Sequence, residues 1–341
     1  MAYTTINKSS DYFNTKLYTG NGSTNAITGI GFQPDMCWWK MRSGTEEHAL
    51  GDAVRGAEYI VKPNASDAQA QSASYFSSFD SDGFTLGSDT KTNGNTSTYA
   101  SWNWKANGAG SSNTDGSITS TVSANTTSGF SIVKYTGDGT TGQTVGHGLG
   151  SVPKLIINKQ LTTQNWFVYH HSIGNTKVLK LNTTGAETTS SAWNNTTPTS
   201  SVFTIGTSAS TNVSGENFIN YCFAEKQGFS KFGSYKGNGN DDGAFIYTGF
   251  KPAFILVKNA AITDNWSIFD NKRLGYNAFN YVLYADITNV GSNGLPIDIL
   301  SNGFKWRTSA AMVNGSGNNC IFMAFAEAPL VGSNNVPATA R

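Results

Sequence analysis

Residues 137–142 have the glycine spacing of a phosphate-binding loop. Gly137-Asp-Gly-Thr-Thr-Gly142 matches the dinucleotide fingerprint and follows a predicted strand. In a dinucleotide-binding unit a helix begins at this loop, and its N-terminus binds the pyrophosphate. The glycine-rich residues 143–150 cannot form such a helix. We therefore interpret 137–142 as a hairpin turn, and the sequence predicts no cofactor.

Two acidic clusters are candidates for a calcium site. They are Asp80-Ser-Asp82 and Asp241-Asp242. Calcium takes six to eight oxygen ligands, and neither cluster has the alternating ligand positions of a helix-loop-helix site. Turn residues are the favoured interpretation, and a calcium site is the alternative.

The four histidines, His48, His147, His170 and His171, occur in unrelated sequence contexts. His170 and His171 end a predicted strand, in which adjacent side chains point to opposite faces, so the two cannot easily chelate one ion. We predict no metal site within the chain. Coordination by one histidine on an oligomer axis is the alternative.

Residue patterns typical of enzymes are missing from the sequence. The chain contains no nucleophile-elbow serine with histidine and aspartate partners, and no carboxylate pair that recurs at equivalent places. Glu225 and Glu327 both follow Phe-Ala at equivalent places, which favours a structural or interface role. We predict no catalytic residues and no enzymatic activity.

Aromatic side chains are the remaining candidates for a binding site. Trp38 and Trp39 are adjacent in a predicted strand, so one of them must point away from the core of its own domain. Tryptophan and tyrosine favour protein interfaces and also stack on sugars. Core or inter-domain packing is the alternative for any one of them. The predicted receptor or interface residues are Trp38, Trp39, Trp102, Trp166, Trp193 and Tyr276.

These residues belong to a unit that is repeated three times. Tyr18-Thr-Gly-Asn-Gly22 recurs as Tyr135-Thr-Gly-Asp-Gly139 and Tyr235-Lys-Gly-Asn-Gly239, and each copy is followed by an apolar strand after a proline and, later, by an alternating aromatic strand. A period near 100 residues matches the size of a β-sandwich. The sequence therefore predicts an all-β chain of three tandem β-sandwich domains, jelly-roll or lectin-like, with less than about a tenth of helix.

The predicted boundaries follow composition. The Gly/Ser/Asn-rich stretch after the first repeat has linker composition, whereas the short, phenylalanine-containing join between the second and third repeats predicts a rigid pair. The segments are a leader or docking segment at 1–16, repeats at 17–107, 129–227 and 228–330, a linker at 108–128 and a tail at 331–341.

Composition excludes several partners. Charged residues make up 13% of the chain and its net charge is +1, so the field needed to attract nucleic acid is weak. No stretch approaches the roughly 20 apolar residues of a membrane helix, and the first residues lack a signal-peptide pattern.

Cys37, Cys222 and Cys320 occupy non-equivalent positions, which predicts buried free thiols.

All three repeats resemble modules common in virion proteins of marine tailed phages, including phages of cyanobacteria and pelagic bacteria. The resemblance covers about residues 17–330 and rests on motifs from each repeat: Ser78-Phe-Asp-Ser-Asp-Gly-Phe-Thr-Leu-Gly87 and Trp102-Asn-Trp-Lys-Ala106 in the first, Val145-Gly-His-Gly-Leu-Gly150 in the second, and Tyr247-Thr-Gly-Phe-Lys-Pro-Ala-Phe254 and Ser301-Asn-Gly-Phe-Lys-Trp-Arg307 in the third.

Members of that family are usually described as tail fibre or other structural proteins. The resemblance therefore implies a virion location, assembly in the host cytoplasm with other virion proteins, and a fibre or adhesin subunit that binds a host glycan or protein. A homotrimer is expected by analogy with fibres. The alternatives are a capsid decoration or tail-assembly protein without receptor binding, and a glycan-degrading tail enzyme.

Overall fold

A computed structural model of the chain describes residues 4–273, 277, 281–329 and 331. In these residues the regular structure is almost entirely antiparallel strand, and the helices are single turns, which confirms the all-β prediction. The first repeat contains the 3-10 turn η1 (Ser9–Asp11), β1 (Phe13–Thr19), β2 (Asn25–Ile27), β3 (Met36–Met41), β4 (Ala49–Asp52), β5 (Tyr59–Ile60), β6 (Ala70–Gln71), β7 (Phe76–Asp80), β8 (Gly83–Leu86), α1 (Thr90–Asn93) and β9 (Thr98–Trp104).

The other two repeats keep the order of the strands that form the two sheets, but the second begins with two additional strands and has no helical turn. The second contains β10 (Ser111–Asn113), β11 (Ser120–Asn125), β12 (Phe130–Thr136), β13 (Gln143–Gly146), β14 (Leu155–Gln160), β15 (Phe167–His170), β16 (Lys177–Lys180), β17 (Thr188–Thr189), β18 (Val202–Ile205) and β19 (Asn217–Phe223). The third contains β20 (Ser230–Lys236), β21 (Phe245–Tyr247), β22 (Phe250–Asn259), β23 (Ser267–Asp270), β24 (Leu283–Tyr284), β25 (Ile297–Leu300), β26 (Gly303–Trp306), α2 (Ala311–Asn314) and β27 (Asn319–Pro329).

Each repeat pairs a main sheet with a small sheet. The main sheets have the orders β1-β9-β3-β4, β12-β19-β14-β15-β16 and β20-β27-β22-β23-β24, and β10, β11 and β17 extend the second. The small sheets are β2-β8-β7, β13-β18 and β21-β26-β25. A separate apolar cluster fills the space between the two sheets of each repeat, which is the expected sandwich arrangement.

The other face of every main sheet contributes to one core that all three repeats share, here called the central core. Trp104 of β9, Phe223 of β19 and Phe325 of β27 occupy equivalent positions and meet there. The Trp104 ring lies 6.5 Å from that of Phe223 and 5.8 Å from that of Phe325, between ring centroids. The prediction of three separate domains is therefore wrong in this respect, because one hydrophobic core joins them.

Two predicted boundaries also change. Strand β1 begins at Phe13, inside the predicted leader, and pairs with β9. The predicted linker 108–128 contains β10 and β11, which add to the edge of the second main sheet. Ser111 and Ser112 of β10 are exposed, whereas Ser120, Ser123 and Ser128 are buried. The predicted tail lies outside the described residues except for Val331.

The repeated Tyr-x-Gly motif is a turn, as predicted. A Cβ on Gly20 would lie 2.3 Å from the carbonyl oxygen of Gly94, so only glycine fits where two backbones meet. The hydroxyl of Tyr18 donates to Thr92 O, and equivalent bonds recur in the other repeats. After 137–142 comes strand β13 and no helix, as expected for a loop that binds no dinucleotide. The prediction of a hairpin turn is wrong, because β12 and β13 belong to different sheets and the loop connects the main sheet to the small sheet.

The central core predicts that the repeats unfold together. Trp104→Ala should reduce the free energy of unfolding by about 3–5 kcal/mol, the usual cost of truncating a buried tryptophan. Denaturation in urea, followed by tryptophan fluorescence and circular dichroism, should show one transition that shifts for the whole chain. Tyr247→Ala, at an exposed position, is the control and should change stability by no more than about 0.5 kcal/mol. Separate transitions for separate repeats would contradict the shared core.

Candidate functional site

The predicted receptor residues are buried. Trp38 and Trp39 point to opposite faces of β3, as predicted: Trp38 lies in the central core and Trp39 between the sheets of the first repeat. Exposed fractions of 0–2% leave no surface for a ligand to stack on, so the prediction of receptor contact is wrong for the described residues Trp38, Trp39, Trp102, Trp166 and Trp193. Tyr276 lies outside the described residues.

Three buried lysines connect the repeats. They occupy equivalent positions in β3, β14 and β22, and each Nζ donates to carbonyls of its own loop and to one carbonyl of another repeat. These inter-repeat bonds are Lys40 to Thr288 O at 2.9 Å, Lys159 to Ser66 O at 3.3 Å and Lys258 to Thr184 O at 3.0 Å. Burial lowers the pKa of each lysine to about 8. The three bonds connect the repeats in a closed ring. The contacts between repeats are called here the 1–2 junction (bond of Lys159), the 2–3 junction (bond of Lys258) and the 3–1 junction (bond of Lys40).

Indole groups add a second set of inter-repeat bonds. Trp166 Nε1 donates to Lys62 O across the 1–2 junction at 2.9 Å, and the equivalent Trp266 donates to Lys180 O across the 2–3 junction at 2.9 Å. An acceptor stabilises a buried indole N–H, and for these two tryptophans the neighbouring repeat supplies it. The two tryptophans therefore serve as structural contacts.

His48 takes the equivalent position at the 3–1 junction. Trp38 Nε1 donates to its Nδ1 at 2.9 Å, so the neutral ring carries its proton on Nε2. That N–H faces Tyr284 O at 3.0 Å and Ile287 O at 3.2 Å, both in the third repeat. Burial lowers the pKa of His48 to about 3, with a smaller contribution from Lys40.

Buried ion pairs lie at two of the junctions. Asp52 accepts hydrogen bonds from Arg55 Nε at 2.5 Å and, across the 1–2 junction, from the Tyr221 hydroxyl at 2.8 Å. The same arrangement recurs at the 3–1 junction with Asp270, Arg273 and the indole of Trp102. Each carboxylate is thus neutralised and bonded to a neighbouring repeat, which is what a buried charge requires.

In the second repeat a histidine replaces the aspartate. Ser172 N donates to His170 Nδ1 at 3.2 Å, and the Nε2 N–H is directed at Phe322 O of the third repeat at 3.3 Å. Burial lowers the pKa of His170 to about 3, and His171 lowers it further. His170 is therefore a neutral inter-repeat contact.

The acidic clusters act as turn residues. Asp82 accepts bonds from Gly29 N at 2.8 Å and Gly31 N at 2.6 Å, and Asp242 is paired with Lys305 at 2.8 Å. Within the described residues no group of three His, Cys, Asp or Glu side chains could hold a metal ion. Glu225 and Glu327, equivalent in sequence, form ion pairs with Lys231 and Lys251. The three cysteines are buried and free.

Exposed aromatic side chains occur together on strand β21. Phe245 is 46% and Tyr247 57% exposed, whereas Ile246 between them is buried. The strand pairs with β26 along one edge only. Both rings therefore lie on the outer face of the small sheet, available to a partner; this pair is called here the aromatic edge.

A polar cleft of about 340 Å³ adjoins the aromatic edge at Tyr247. Its wall includes the ion pair of Lys231 Nζ with Glu225 Oε1, 2.8 Å apart. An aromatic ring beside charged donors and acceptors suits a ligand with both an apolar face and hydroxyl groups, as in a sugar. The cleft is lined by Glu225, Gln227, Gly228, Ser230, Lys231, Tyr247, Thr248 and Gly249.

The aromatic edge was not predicted from the sequence, although a signal for it exists. Ile246 pairs with Phe304 just as Val145 pairs with Phe203 in the second repeat. Alignment of the repeats therefore fixes Ile246 as inward-facing and its two neighbours as outward-facing. Phenylalanine and tyrosine at the two outward positions are the sequence signal for this exposed pair.

The buried histidines predict acid sensitivity. At pH 5 the folded chain keeps His48 and His170 neutral, whereas the unfolded chain binds a proton at each below its ordinary pKa of about 6.5. Their contribution to stability is complete above pH 6.5 and is lost as the pH falls toward 3, by up to about 1.4 kcal/mol per pH unit for each histidine.

Urea denaturation at pH 7 and at pH 5 measures this loss. His48→Gln and His170→Gln should each make stability less dependent on pH than in the unsubstituted chain. His171→Gln, at an exposed position, is the control and should have a smaller effect. Equal pH dependence in all four proteins would show that these histidines are not held neutral.

Among the described residues no helix is both long and apolar enough to span a bilayer.

No curated protein and no solved structure gives a significant match to the chain. A family model does match, over residues 8–329, and so includes all three repeats and the central core in one unit. The chain belongs to that family, which is described as a domain of unknown function, DUF7483.

Proposed function

We propose that this chain is a non-enzymatic virion component, a fibre or adhesin subunit that binds host surface glycan or protein. The resemblance of its three repeats to modules of marine phage virion proteins supports the virion location. The aromatic edge supports the binding role and is the observation that carries it. In the described residues, Phe245 and Tyr247 are the two most exposed large hydrophobic side chains, and they share one strand face.

The comparison between repeats strengthens this assignment. In the second repeat the positions of Phe245 and Tyr247 are held by Thr144 and Gly146. There the chain covers its own edge: Ile118 N donates to Thr144 O at 3.0 Å. Aromatic residues at this edge of the third repeat are thus not needed for the sandwich itself. A surface that the fold does not require is a candidate for selection by binding.

A single aromatic edge with a shallow cleft binds weakly, and several copies on one particle would raise the overall affinity through avidity. We propose that the virion presents the chain in multiple copies, with a homotrimer as the expected fibre assembly. The central core is already closed inside one chain, so trimer formation would use outer surfaces and would leave Trp38 and Trp102 buried as they are.

A capsid decoration or tail-assembly role is the second candidate. The ring of inter-repeat hydrogen bonds made by Lys40, Lys159 and Lys258 favours it, because a body locked at all three junctions suits a load-bearing part. In this case the aromatic edge would contact another virion protein.

Binding to host cells and to a glycan array tests the adhesin proposal. Tyr247→Ala should weaken binding about tenfold, equivalent to about 1.4 kcal/mol, because an exposed aromatic anchor is removed. Phe245→Ala should act in the same direction. Tyr59→Ala, on a partly exposed tyrosine of the first repeat, is the matched control and should bind normally. Binding that survives both third-repeat changes would reject the aromatic edge as the receptor site.

The position of the chain in the particle separates the two candidates. Antibody raised against the third repeat and imaged on intact particles should label the distal tail if the chain is an adhesin. Label on the head, together with no binding to host envelope or glycans, would reject the adhesin and leave the structural role.

A further inference from the structure

The 3–1 junction differs from the other two at the residue that lies two positions after the buried lysine. At the 1–2 junction Gln69 N donates to Leu161 O at 2.9 Å, and at the 2–3 junction Glu187 N donates to Ala260 O at 2.8 Å. Leu161 and Ala260 are buried in the central core. Each lies two residues after the buried lysine of its repeat. At these two junctions the backbones of the two repeats are therefore hydrogen-bonded, and the side chain at that position is apolar.

The equivalent residues at the 3–1 junction are Arg42, two residues beyond Lys40, and Gly291. They line a cavity of about 180 Å³ together with Arg273 and Tyr281, and the backbone bond between them that the other junctions have is not formed. Arg42 thus places a guanidinium group where the other junctions have an apolar side chain, at the point where the two backbones are not hydrogen-bonded.

The second arginine of this cavity is incompletely bonded. Arg273 donates through Nε to Asp270 at 2.7 Å and through Nη2 to Ile268 O at 3.0 Å. Its side chain is 2% exposed, and its Nη1 has no hydrogen-bond partner within the described part of the chain. A buried charged donor left unpaired costs free energy that an added acceptor recovers.

The first repeat provides a comparison for Arg273. Arg55 is its equivalent there and also has an unpartnered Nη1. The arginine of the 1–2 junction, however, is accompanied by Leu161, whereas that of the 3–1 junction is accompanied by Arg42. Two arginines at one cavity therefore distinguish the 3–1 junction from the others.

The charges around this cavity leave an excess of positive charge. Arg42 and Arg273 are opposed by one carboxylate, Asp270, which already accepts bonds from Arg273. Burial lowers the pKa of Arg42, and the guanidinium of Arg273 lowers it further, while Asp270 and Tyr281 raise it. Tyr281 is 40% exposed and lines the same cavity.

We propose that the cavity at the 3–1 junction binds an oxyanion, either a small free anion or the carboxylate or sulfate group of a saccharide. Two guanidinium groups supply charge-assisted hydrogen bonds to its oxygens. Tyr281 offers an aromatic surface to a sugar that carries the anionic group. This site is separate from the aromatic edge, and its existence does not depend on the proposed function.

Isothermal titration calorimetry of the full chain with sodium sulfate, glucuronate and glucose tests the proposal at constant ionic strength. Sulfate or glucuronate should bind and glucose should not. Binding of both anions indicates that the site accepts any oxyanion, binding of glucuronate alone indicates an acidic sugar, and binding of sulfate alone indicates a free anion.

Two variants place the binding in the cavity. Arg42→Leu introduces the residue found at the 1–2 junction, and Gly291→Gln introduces the equivalent of Gln69, which fills the opening. Gly291 has space for a side chain, because a Cβ at this position would lie 3.6 Å from Tyr281 Cδ1, an ordinary van der Waals distance. Each variant should fold, with a melting temperature near that of the unsubstituted chain, and should bind the anion at least tenfold more weakly.

Arg307→Leu is the control, since it removes a surface arginine outside the cavity, and it should bind normally. The proposal is overturned if neither anion binds the unsubstituted chain, or if folded Arg42→Leu and Gly291→Gln bind as tightly as it does.

Discussion

Burial of both faces of each main sheet is the constraint on which the structure depends. One face packs on a small sheet and the other on the central core, so strands such as β3 and β14 are buried at every position. Polar groups that remain unpaired in such an interior cost free energy. Several titratable side chains within it are bonded across the junctions, although some buried atoms, such as Trp104 Nε1 and Arg273 Nη1, have no partner among the described residues. The bonds across the junctions explain why so many titratable side chains are buried without forming a reaction centre.

The inter-repeat bonds complement the apolar core. Hydrophobic contacts are non-directional and would tolerate rotation of one repeat against another. The bonds made by the three lysines, and by Asp52, His170 and Asp270, have defined partners, and they recur in the same sense at every junction. We interpret them as the contacts that fix how the repeats are arranged, at the cost of desolvating their charges.

Function is best sought where equivalent positions differ. The positions that build the sandwiches and the central core are alike in the three repeats, but β21 carries two exposed aromatic residues where β13 has Thr144 and Gly146. The 3–1 junction likewise has Arg42 where the others have leucine and alanine. The sandwich and core positions thus stay apolar in all three repeats, whereas residues of the loops, edges and junctions differ.

The sequence by itself determined the three repeats, their strands, the glycine-requiring turns, the free cysteines and the opposite orientations of Trp38 and Trp39. These follow from local rules, namely the two-residue period of a strand and the steric limits on a turn. The sequence did not determine what covers the outward-facing residues. Trp102 and Trp166 were predicted to meet a receptor, and the structure covers them with other repeats, whereas Tyr247 remains exposed.

Whether an outward-facing residue is covered or exposed depends on contacts between residues more than 100 positions apart, such as Trp102 with Asp270 and Tyr221 with Asp52. Strand alternation states which side of a sheet a residue occupies, but only the packing of all three sheets decides whether that side meets water, a ligand or the same chain.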